Sequence, residues 1–197
     1  GSFTYRNDTL TTRLFFMSPA FNPNEMESCF EQGTFLFLAN GNNQLTVSRN
    51  GNEPIKVDNP NVKLNAQYAL FKHQKDSAGN KHTLDSLDQM FYAARDRNDE
   101  REMQRIKNST ASIYDRAYEQ LRQWLGNEIE HHQGTAFGLY LYYTHRLQNV
   151  NITNRTDLAY ARQIVEGSDA EAKQTWYYTL ATQKLNALEL TIVGQTA

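Results

Sequence analysis

Residues 55–71 read IKVDNPNVKLNAQYALF, and this stretch divides the chain. Ile55-Lys56-Val57 alternates apolar and polar residues, the period of a strand with one buried face. Asn59-Pro60 then interrupts the pattern, because proline donates nothing to a ladder and disfavours helix in the residue before it. Beyond it Leu64, Tyr68 and Phe71 return every three or four residues, the period of a helix. Strand patterns lie before this boundary and helical patterns after it.

Working back towards the start, four further strands are expected. Ser2 to Arg6 alternates, Thr11 to Met17 is β-branched and aromatic, and Gly33 to Leu38 and Gln44 to Ser48 follow. Turn-formers separate them: Asn7-Asp8, a longer loop over Pro19 to Glu27, Asn40-Gly41-Asn42-Asn43 and Asn50-Gly51-Asn52. Asn-Gly pairs supply the positive φ angles of tight hairpins, so the pattern predicts an antiparallel meander, an incomplete sheet or sandwich.

Working forward, the first helix is expected to run to Gly79. A second starts near Thr83, with Leu84, Leu87, Phe91 and Ala94 on one face. Asp99 and Glu102 have capping-box spacing and open a long helix. Its stripe is Met103, Ile106, Thr110, Ile113, Ala117, Leu121 and Trp124, and Gly126 is the expected stop. Thr135 to Leu147 is apolar on most of its circumference, which predicts a helix packed on several sides. Thr156 begins another, and Ser168 with Glu171 predicts a capping box before a helix carrying Tyr177, Ala181, Leu185 and Leu188. Leu190 to Val193 is β-like.

The expected class is therefore α+β. An antiparallel β region covers 1–60, an all-helical bundle of about five helices covers 61–189, and 190–197 starts a linker or strand.

Composition narrows the function. The chain has 197 residues, 39% hydrophobic and 12% aromatic, enough apolar surface for a packed core. Lys plus Arg is 20 against 22 for Asp plus Glu, so no basic excess favours a nucleic-acid partner. No apolar run reaches the ~20 residues that span a bilayer. Cys29 is the only cysteine, which excludes an internal disulfide or CxxC pair, and a lone cysteine beside Phe30 reads as a small buried hydrophobe.

Candidate chemistry is sparse. Glu128, Glu130, His131 and His132 cluster after the long helix, yet their spacing fits no standard zinc motif. His145 reads as a core or interface histidine, and His73 and His82 as exposed. Asp85, Asp88, Asp96 and Asp99 interleave with Arg95, Arg97 and Arg101, which reads as a solvated face. The glycines fit neither a dinucleotide nor a phosphate loop, and there is no GxSxG elbow. No cofactor is expected, and no catalytic residue is assigned. Tyr140, Tyr142, Tyr143, Trp176, Tyr177 and Tyr178 are the remaining set, readable as core, as a partner surface or as a ligand pocket.

Short patterns along the chain resemble a known family. They are Gly1-x-Phe3-x-Tyr5, Val57-Asp58-Asn59-Pro60, Leu64-Asn65-Ala66-Gln67-Tyr68, Leu84-Asp85-Ser86-Leu87, Gly138-Leu139-Tyr140-Leu141 and Val193-Gly194-Gln195-Thr196-Ala197. Together they look like the N-terminal region of extracytoplasmic thiol–disulfide oxidoreductases of Bacteroidetes-type bacteria. There a β-rich domain and a helical segment precede a thioredoxin-like domain, whose CxxC has no counterpart in this chain.

The resemblance implies a non-catalytic accessory domain, periplasmic or anchored to the outer membrane through an upstream lipid. It would position the covalently linked redox domain, recognise a protein substrate or form a homodimer. The aromatic set is the expected contact. The alternative is an extracytoplasmic glycan or small-ligand binding module, and a metal-dependent enzyme using Glu128, His131 and His132 stands behind both.

Overall fold

The computed structural model describes residues 2–7, 13–17, 34–38, 41–46, 56–58 and 62–194. Cys29, the Pro19–Glu27 loop and residues 195–197 lie outside them.

Among the described residues five strands are formed: β1 (Ser2–Asn7), β2 (Arg13–Met17), β3 (Thr34–Leu38), β4 (Gly41–Thr46) and β5 (Lys56–Asp58). All pairing among them is antiparallel, but the ladders do not follow chain order as a meander would. β1 pairs with β4, β4 with β5, and β2 with β3 in a separate two-stranded sheet. Local turn chemistry predicts which residues bend; it says nothing about which distant strand accepts the backbone hydrogen bonds. Gly41 to Asn43, expected in a turn, are ladder residues opposite Asn7, Arg6 and Tyr5. Asn43 is fully buried there.

The described residues are mostly helical. The helices are α1 (Val62–Ala78), α2 (Lys81–Asp96), α3 (Glu100–His131), α4 (Ala136–Tyr142), α5 (Arg155–Glu166), α6 (Ala170–Lys173) and α7 (Trp176–Gly194). The chain forms two compact units, one from Gly1–Tyr68 with His132–Ala197, the other Ala69–His131. The helices after His131 thus belong with the strands, so the expected single helical region over 61–189 is divided.

In the unit Ala69–His131, α2 packs along α3. Asp99 opens α3 by accepting the Glu102 amide at 3.1 Å, the cap its spacing predicts. Ala94, Ile106, Thr110 and Ala117 are buried, and Phe71 stacks on Trp124 at 5.2 Å. Ile113 belongs to the apolar stripe yet is 36% exposed, because the contact ridge between two helices is narrower than the stripe. Gly126 does not stop α3, which continues to His131. Glycine weakens a helix by only about 1 kcal/mol, and buried Ile129 in the next turn rewards continuation.

In the other unit, α4 is buried from Ala136 to Leu141, as an all-apolar circumference requires. Thr135 caps it, accepting from the Gly138 amide at 3.1 Å. The helix then widens over Tyr143–Leu147, where the Gln148 amide reaches back five residues to the Tyr143 carbonyl at 2.8 Å. One residue inserted in a turn rotates all that follow by roughly 100°.

Two expected starts shift by a residue or more. α5 starts at Arg155, one residue before Thr156, and Asn154 caps it, accepting from the Asp157 amide at 2.8 Å. Asp169, not Ser168, caps α6, accepting from Ala172 at 2.7 Å. A carboxylate is a stronger acceptor than a hydroxyl for helix-end amides. That helix is one turn long, and α7 restarts after Thr175, whose hydroxyl accepts the Tyr178 amide at 3.4 Å. Leu190 to Val193, read as β-like, is helical to Gly194. Buried Ile192 adds to the face of Ala181 and Leu185, and packing overrides the intrinsic β preference.

Candidate functional site

The sequence-selected aromatic set divides by burial. Tyr140 is 6% and Tyr177 9% exposed, whereas Tyr142, Tyr143, Trp176 and Tyr178 are half-buried. The two buried rings meet at 5.1 Å, edge to face, and both pack on Phe37 of β3, at 5.3 and 6.3 Å. Tyr68 of α1 closes the cluster against Phe37 and Tyr140, each at 5.9 Å. Edge-to-face pairs at these separations add to the burial of the rings themselves. This is a core, so the set is not one continuous surface.

Hydrogen bonds tie that core to the β2–β3 hairpin. Leu14 and Phe37 face each other in register. The Phe37 amide donates to Asn65 Oδ1 at 2.6 Å, and Asn65 Nδ2 donates to the Phe37 carbonyl at 3.0 Å. On the opposite edge the Leu14 amide donates to the Tyr177 hydroxyl at 3.3 Å. Helical side chains thus occupy both outward edges of this pair, which would otherwise be open to another strand. Replacing Asn65 with alanine removes these two hydrogen bonds to the Phe37 backbone, at an expected cost of about 2 kcal/mol. Denaturant unfolding checks the cost, and faster hydrogen exchange at the Phe37 amide checks the cause.

Burial pushes Tyr140 and Tyr68 above the usual range, and Tyr140 donates its hydroxyl hydrogen to Tyr68. Burial also raises Tyr142, with Tyr160 as a lesser cause.

The unit Ala69–His131 carries an aromatic face that sequence reading passed over. On α3, Tyr118 is 61% exposed and lies 6.4 Å from Tyr114. On α2, Tyr92 is 49% exposed beneath the Arg95 guanidinium, 4.7 Å from the ring centre. Between them the Tyr114 hydroxyl donates to Asp88 Oδ1 at 2.6 Å, which pushes that phenol up to about 12. The spacings 88, 92, 95 and 114, 118 were the available signal. They were hidden because Asp88 and Arg95 read as ordinary solvated charges.

Ionising a phenol whose folded value is raised favours unfolding. Its stabilisation is whole below the ordinary value of 10 and, for Tyr114, is lost as pH climbs from there to about 12. Phenolate absorbance is therefore expected to lag behind that of free tyrosine, and stability to fall over the same window. Tyr114→Phe removes that residue's share of the lag; an unchanged titration would contradict the bond to Asp88.

The remaining candidates are scattered. His132 packs edge-on against Phe137 at 5.1 Å, and His131 is exposed at the end of α3. No group of three or more His, Cys, Asp or Glu residues able to hold a metal ion occurs among the described residues. Asp85 pairs with Lys81, Asp96 lies 3.6 Å from Arg95, and Asp99 caps α3. His73 and His82 line an open groove of about 310 Å³ with Asp76 and Asn80. No helix among the described residues is long and apolar enough to cross a membrane. Comparison with protein-family models, with curated proteins and with solved structures returns no match.

Proposed function

We propose that the chain is a non-catalytic accessory region of a thiol–disulfide oxidoreductase that works outside the cytoplasm. It serves in positioning the redox domain, recognising its substrate protein or dimerising. The observation that carries this reading is the ordered series of patterns from Phe3 and Tyr5 through Leu64 to Tyr68, Leu84 to Leu87 and Gly138 to Leu141.

Two physical features support it. The rings around Tyr140 and Tyr177 stabilise a scaffold, which a positioning domain needs and which leaves less aromatic surface for a ligand pocket. The exposed tyrosines of α2 and α3 have the composition of a partner contact, where tyrosine gives large rigid area at low entropic cost.

The parent protein under this proposal is periplasmic or anchored to the outer membrane facing the periplasm. The test is the coding sequence on either side of this chain. A lipoprotein signal upstream and a thioredoxin-like pattern with CxxC downstream are expected; a downstream region of another kind would sink the reading.

A further inference from the structure

The face formed by α2 and α3 has exposed charges of both signs with weak or neutral partners. Asp88 accepts from Tyr114, but among the described residues no cation lies within ion-pair distance of it. Lys107 sits 5.3 Å over the Phe91 ring, and no carboxylate among the described residues pairs with it. Arg95 lies over Tyr92 at 4.7 Å, and among the described residues the carboxylate within ion-pair distance of it is that of its neighbour Asp96, at 3.6 Å, 71% exposed. Asp88 and Arg95 are seven residues apart, two helical turns or roughly 10 Å along α2, with Tyr92 between them on the same side.

A face that carries opposite charges at its two ends, with an apolar ring in the middle, is complementary to itself when turned through 180°. Isologous packing demands that property, since residue i meets j and j meets i. We propose that two copies of this chain dimerise through this face. The α2 helices run antiparallel about an axis near Tyr92. Asp88 of each copy meets Arg95 of the other, while the Tyr92 rings of the two copies pack at the centre and Tyr118 closes the sides.

A sugar or an unrelated protein could also use exposed tyrosines, but neither accounts for the matched spacing of Asp88 and Arg95. The inference rests on the accessory reading only in naming one of its partners, and the two fail separately. A monomeric chain overturns the dimer alone, and a downstream region without CxxC overturns the oxidoreductase assignment alone.

The test is sedimentation velocity on the whole chain across about 1 to 100 µM, the range in which interfaces of modest area associate. The mass is expected to rise from 22.7 kDa towards twice that value. Asp88→Arg and Arg95→Asp each place like charges opposite one another twice, and each is expected to weaken association at least about tenfold. The double variant restores both pairs with signs exchanged and is expected to return to within about threefold of the parent chain. Circular dichroism confirms that all variants fold; a fold defect would not be rescued by the second substitution. A chain that stays monomeric throughout overturns the proposal, as do single variants with unchanged association or a double variant without rescue. Thermal stabilisation by an oligosaccharide with the chain monomeric would overturn it in favour of a sugar.

Discussion

Gly138→Ala is expected to lower stability by about 3 kcal/mol or more, the upper range for overpacking a site that cannot relax. A Cβ at this position would overlap the His132 carbonyl oxygen and stand 2.5 Å from its carbonyl carbon. These are backbone atoms, so no rotamer change relieves the clash. The segment from His132 to Thr135 would have to move, and with it the cap that holds the Gly138 amide. Because α4 carries Phe137, Tyr140 and Leu141 into the core, the damage spreads beyond one turn. Urea unfolding followed by near-ultraviolet circular dichroism measures it. An unshifted midpoint would mean that the chain does not approach itself so closely here.

Phe37→Ala is the second large effect, with an expected loss of about 3–5 kcal/mol. The ring is 2% exposed and touches Tyr68, Tyr140 and Tyr177, so its removal leaves a cavity lined by three phenols. Those phenols lose edge-to-face partners and the dispersion contacts of the ring. Phe37→Leu keeps most of the volume and is expected to cost about half as much or less. Equilibrium unfolding gives the two values. Near-equal, small losses for both would show that β3 does not anchor this core.

Some of this was legible in one dimension. The change from period two to period three or four near Asn59-Pro60 marked where strands stop and helices begin. The Asp99–Glu102 spacing marked the start of α3, and the apolar circumference of Phe137 to Leu141 marked a buried helix. Each is a local property, since a cap or a period involves residues a few positions apart. The partner of β1 was not legible: it skips two strands to reach β4 across more than thirty residues of chain, whereas β2–β3 and β4–β5 join strands consecutive in the chain. Leu190 to Val193 was misread for a related reason, because β-branched residues follow their packing partners when Ile192 is buried.

The site divides in the same way. Sequence alone determined that the chain is rich in aromatic side chains, carries a single cysteine, and places Tyr140, Tyr142, Tyr143 and Trp176 to Tyr178 in helices or beside them. Only the tertiary structure decided which rings are core and which are surface. Tyr140 and Tyr177 are buried against each other and against Phe37, which is far away in sequence. Tyr92, Tyr114 and Tyr118 make a face because α2 folds back along α3 and sets Asp88 against a phenol 26 residues later. A tyrosine is amphipathic enough to suit either place, so its own chemistry does not choose between them; the neighbours that folding brings to it do.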